Sequence, residues 1–107
     1  MQVERHGPNA VVTLGGSAGM VEAEQLRREL EALAAQEVAI TVLDAGELEF
    51  IGSAGLAAIV HGHLKNRHHG GQIRIVAPQP AVFDVLERTR FTQLFSIHSS
   101  VQQALTP

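Results

Sequence analysis

The run Val38-Ala39-Ile40-Thr41-Val42-Leu43 constrains this chain more than any other segment. It is short, continuous and rich in β-branched residues, with Thr41 its one polar side chain and no charge. Such a run suits a strand covered on both faces, as in a parallel sheet. Parallel neighbours need crossover connections, so helical patterns should stand on either side of it. They do. From Met20 or Val21 to Gln36, Ala23, Leu26, Leu30, Leu33 and Ala34 fall on one helical face, with Glu22 and Glu24 in the first turn, where the helix dipole favours carboxylates. From about Ala54 to His68 a second helix is predicted, its inward stripe read as Leu56, Ile59, Val60 and Leu64 and its end marked by Gly70-Gly71.

The remaining elements follow from turn chemistry and short apolar runs. Val3–His6 and Ala10–Leu14 flank the turn signal Gly7-Pro8-Asn9 and should pair as an antiparallel hairpin. Gly15 to Gly19 should end the second of these strands. The buried run should close at Asp44, with Ala45–Glu49 as a connection and Phe50-Ile51 returning to the core. Gln72–Ala77 reads as a further strand. A third helix follows, with Pro80 at its first position and Val82, Val85 and Leu86 inward. Phe91, Leu94 and Phe95 should cap the core, Ile97 should lie on a last short strand, and Ser100–Leu105 should form a final helical turn or two. The expected fold is α/β: one domain over residues 1–107, a mixed, mostly parallel sheet packed by about four helices.

Composition narrows the function. At 107 residues, 45% apolar and 18% charged, the chain can bury one core. A net charge of −3, no basic stripe, and neither Trp nor Tyr argue against a nucleic-acid partner. The lack of cysteine removes disulfides, thiolate metal sites and cysteine nucleophiles. Neither a secretory leader pattern nor an apolar run of membrane-spanning length is present, so a cytoplasmic location and no membrane insertion are expected. His61, His63, His68 and His69 do not have the i,i+4 spacing of a helical metal pair with supporting acids, and no metal or other cofactor is expected. Asp44, Arg88 and Arg90 read as turn and helix-end residues.

The segment Leu48-Glu49-Phe50-Ile51-Gly52-Ser53-Ala54-Gly55-Leu56 carries the functional signal. A strand runs into small residues and a helix starts at once, placing Ser53 at or next to the N-cap. A cap is one use of that hydroxyl. A phosphoryl group is another, since the positive end of a helix tolerates a dianion. The string does not match the G-x-S-x-G elbow of hydrolases, and no base is evident, so an enzyme is not expected.

Taken together, the order of elements and this segment resemble the STAS domain of bacterial anti-sigma-factor antagonists. The family pattern is a strand, Asp-Ser-Ser/Thr-Gly-Leu opening a helix, a Lys, and Gly-Gly before the next strand. Here Gly52-Ser53-Ala54-Gly55-Leu56, Lys65 and Gly70-Gly71 stand in those places, and Ala77–Leu86 resembles the Ser-Pro-Ala-Val segment and third helix. The resemblance runs from about Val11 to Leu105. It implies a partner switch with an anti-sigma factor that is also a serine kinase, reversed by a phosphatase, with Ser53 as the phosphorylated residue. The partner surface it implies comprises Ser17, Gly19, Met20, Gly52, Ser53, Ala54, Gly55, Leu56 and Lys65. Three positions depart from the pattern: Gly52 replaces the motif Asp, Ala54 the second hydroxyl, and Gly19 an acidic residue. Either the partner differs or phosphorylation is weak or absent. The alternative within the same family is a subunit of a lipid or anion transport system that is not phosphorylated.

Overall fold

A computed structural model covers residues 1–107 and describes all of them apart from the side chains of Ser17 and Ala18. Strands β1 (Gln2–His6) and β2 (Asn9–Ala18) form the expected antiparallel hairpin. Helix α1 (Met20–Ala35) leads to β3 (Ile40–Ile51), α2 (Ser53–Arg67) to β4 (Gln72–Val76), and α3 (Pro80–Arg88) with α4 (Phe91–Leu94) to β5 (Ser96–His98). Helix α5 (Val101–Ala104) closes the chain, so five helices surround the sheet, two of them single turns. The sheet order is β1-β2-β3-β4-β5, parallel from β2 onward.

That order has a geometric consequence. Each crossover steps to the next strand in the same direction, and right-handed crossovers then put every connecting helix on one face. The large core follows suit, with Leu26, Leu30 and Leu33 of α1, Ala58 and Ile59 of α2, Val82 and Leu86 of α3, and Phe91 and Phe95 packed on Val12, Leu43, Ile73 and Ile75. The opposite face holds Val11, Ile40, Val42 and Val76, closed by Val101, Ala104 and Leu105 around α5. The run from Val38 is buried as expected, although the strand proper begins at Ile40.

Four expectations fail in instructive ways. Strand β2 does not stop at Gly15. It continues to Ala18, and β3 continues through Ala45–Glu49 beside it, with two register shifts. Between Thr13 and Gly15 the facing stretch of β3 runs from Asp44 to Glu47, and between Gly16 and Ser17 it runs from Leu48 to Phe50. The extra residues are bulges in β3, and Gly16 at φ 63° supplies the left-handed kink on β2. The glycines therefore mark irregular pairing, not the strand end. Second, the bulge puts strand alternation out of phase, so Leu48 and Ile51 are buried while Phe50 is exposed. Third, α2 packs through Gly55, Ala58, Ile59 and Gly62, with Leu64 exposed, because small residues let α1 approach closely. Fourth, Leu94 points outward while Phe91 and Phe95 cap the core.

Candidate functional site

Parallel pairing of Ala18 with Ile51 brings the ends of β2 and β3 together, and therefore the starts of α1 and α2 as well. Gly19 and Met20 thus meet Gly52, Ser53 and Ala54 at one edge of the sheet. Gly52, not Ser53, is the N-cap of α2, at φ −103° and ψ −177°, and no side chain caps the helix. The first helical bond runs from the Leu56 amide to the Gly52 carbonyl, 3.0 Å. Ser53 is the first helical residue and is exposed, so its hydroxyl is open to solvent and to another protein. The amides of the first turn lack intrahelical partners, as at any helix start.

The residues expected to form a partner surface divide into three groups. Gly19, Met20, Gly52, Ser53 and Ala54 come together. Gly55 is buried and Leu56 packs partly into the core, so both support the turn from beneath. Lys65 lies 12 residues along α2 from Ser53, about 18 Å at helical rise, and lines a separate groove with Glu31, Ala34, His68 and His69. The side chain expected at Ser17 lies outside the described residues.

Beside the expected Met20, the site contains Val21, Arg27 and His61, which the sequence reading did not place there. Met20 and Val21 are exposed at 84% and 79%. Met20 lines a groove between α1 and α2 with Ala54, Ala57, Arg27 and His61. Behind it runs a chain of charges: Arg27 donates to Glu24 at 2.7 Å and to Glu31 at 2.6 Å, and His61 Nε2 lies 2.7 Å from Glu31 Oε1. His61, weighed in the sequence as a metal ligand, ties α2 to α1. The bond from His61 first, and then the charges of Arg27, His61 and Lys65, hold the Glu31 carboxyl below its ordinary range. Glu24 is lowered chiefly by its bond from Arg27. The i,i+3 and i,i+4 spacings of Glu24, Arg27 and Glu31 were legible; the reach of His61 across to α1 was not.

No group of three or more His, Cys, Asp or Glu among the described residues could hold a metal ion. No helix among them is long and apolar enough to cross a membrane.

Comparison with known proteins agrees with this fold. The family model described as the STAS domain matches residues 1–104. A Bordetella bronchiseptica protein, BtrV, that carries the name of an anti-sigma factor antagonist is 31% identical over 94 residues, spanning 88% of this chain and 81% of its own. The crystal structure of an anti-sigma factor antagonist from Mycobacterium paratuberculosis superposes with a TM-score of 0.86 at 29% identity, over 97% of this chain and 88% of that one. The antagonist SpoIIAA in its unphosphorylated form shares the fold, with a TM-score of 0.87 at 19% identity over 97% and 91% of the two chains. Its phosphorylated form superposes at 0.78 and 17% identity, over 97% and 95%.

Proposed function

The chain belongs to the STAS domain family, and from that membership we propose that it acts as an anti-sigma-factor antagonist, a cytoplasmic protein-binding module that is not an enzyme. It binds an anti-sigma factor through the edge where α1 and α2 begin. The partner is a serine kinase that transfers the γ-phosphoryl group of its own ATP to Ser53, releasing ADP and the hydroxyl proton. The added dianion weakens the complex, and a phosphatase restores it by hydrolysis.

The observation that carries this reading is the exposed, uncapped hydroxyl of Ser53 at the first position of α2. A kinase can reach it without unfolding the domain, and the free amides of the first turn face a charge there favourably. The namesake relatives support the same reading. The transport-subunit alternative has less support, since the relatives that share most sequence with this chain bear antagonist names.

Two measurements test it. Incubation with each serine-kinase anti-sigma factor of the parent genome and Mg-ATP should add one phosphoryl group by intact mass, absent in Ser53→Ala. Ser53→Asp should weaken binding to that factor by about tenfold or more, while Ser53→Ala preserves it. Equal affinity of the two variants would defeat the switch.

A further inference from the structure

Phe50 is exposed at 55% although it lies on β3 between the buried Leu48 and Ile51. The bulge that turns it outward also brings its ring over Gly52. A Cβ at position 52 would sit 3.3 Å from both Cε2 and Cζ of Phe50, tighter than ordinary contact. The missing side chain at Gly52 is therefore the seat of the ring. On the other flank of Ser53, the exposed Met20 shares its groove with Ala54 and Ala57, with Val21 beside it on α1. The carboxylates at that groove and its rim are already engaged: Glu24 with Arg27 and Arg28, Glu31 with Arg27 and His61. Ser53 thus stands between two apolar anchors, with Glu24 and Glu31 of α1 paired within the two helices.

We propose that Phe50, seated on Gly52, and Met20 are the partner-selecting residues of this chain, and that they fit an anti-sigma factor whose docking face is apolar opposite the start of α2. The inference rests on the antagonist reading above. The occupant follows from continuity, because the anchors flank through Gly52 and Ala54 the hydroxyl that the partner must approach. An apolar contact is driven by burial and is insensitive to screening, unlike one steered by a motif carboxylate. A phosphoryl group on Ser53 then acts mainly by placing a dianion that must lose its water within that contact.

The experiment titrates wild type, Phe50→Ser, Phe50→Leu and Met20→Ser against each purified serine-kinase anti-sigma factor of the parent genome, at low and high salt. Thermal melts establish that the variants are folded, as expected for exposed positions. The cognate factor should bind wild type with a Kd that changes by less than about threefold between about 50 and 500 mM NaCl. Phe50→Ser and Met20→Ser should each raise that Kd by about tenfold or more, and Phe50→Leu should keep most of the affinity. A Kd for Phe50→Ser within about twofold of wild type, or affinity that collapses at high salt, overturns this inference while leaving the antagonist reading intact. Failure of every factor to bind wild type overturns both. Self-association in sedimentation that Phe50→Ser abolishes assigns the ring to a second copy of the chain and also overturns the proposal.

Discussion

His63 sits between two demands. Its ring meets Phe95 edge to face at 5.1 Å, and its Nδ1 is buried with no hydrogen-bond partner. Burial first, and the charge of Arg67 second, push its pKa below the ordinary 6.5. The unfolded chain therefore takes up a proton before the folded one does, and stability present above pH 6.5 drains away as pH falls from there toward the lowered folded value. His63→Phe keeps a flat ring against Phe95 and removes the titration. Urea midpoints measured from neutral to mildly acid pH should fall less steeply for that variant than for wild type, and parallel slopes would refute the assignment. In the sequence the residue was weighed as a metal ligand. Its partner Phe95, 32 residues on and just past the end of α4, was not legible, because no local pattern encodes a tertiary ring contact. Phe50 shows the reverse error: an aromatic residue in a strand reads as core until the bulge that rotates it is seen.

At the level of elements, the crossing of α1 and α2 depends on Gly62. A Cβ there would lie 2.5 Å from Leu30 Cδ1 and 2.8 Å from Leu30 Cβ. The Cδ1 could swing away, but the Cβ moves only with its helix. Gly62→Ala should therefore lose more by overpacking, about 1–3 kcal/mol, than it gains in helix propensity, about 1 kcal/mol. The expected result is a lower denaturant midpoint with an unchanged slope, and an equal or higher midpoint would contradict it. Element identity and order were legible because each run had its own period and punctuation. The α1 stripe was right, since leucines at helical spacing have few other uses. The α2 stripe was wrong at Leu64 because the helix seeks closeness, and large apolar residues advertise burial whereas glycine and alanine do not. The lengths of β2 and β3 were also hidden, because Gly15-Gly16 and Ala45-Gly46 look like breaks unless both strands are seen to be irregular together.

Across the whole molecule, the sheet is dressed unequally. One face carries four helices and the other depends on α5, a single turn held where Arg74 donates to the Ala104 and Thr106 carbonyls. Ala104 is fully buried against Val11, Ile40, Val42 and Val76. Ala104→Asp should lift that turn, cost at least about 2 kcal/mol and expose the cluster, read as a lower melting temperature and new binding of a hydrophobic dye. A native-like melt without dye binding would show that α5 is dispensable. Fold class, strand count and the mixed sheet were all legible, and so was the edge at which Gly19 and Ser53 meet. The placement of Lys65 far from that edge was not, since spacing along a helix says little about distance until the axis is laid down. The packing of Phe50 on Gly52 also orders the routes by which such a sequence can change. An aspartate at 52 would meet the Phe50 ring at 3.3 Å and push it aside by a few tenths of an ångström, whereas with Phe50→Ala in place the same change meets open space. The two positions are therefore coupled, and the side chain carried at one sets the room available at the other.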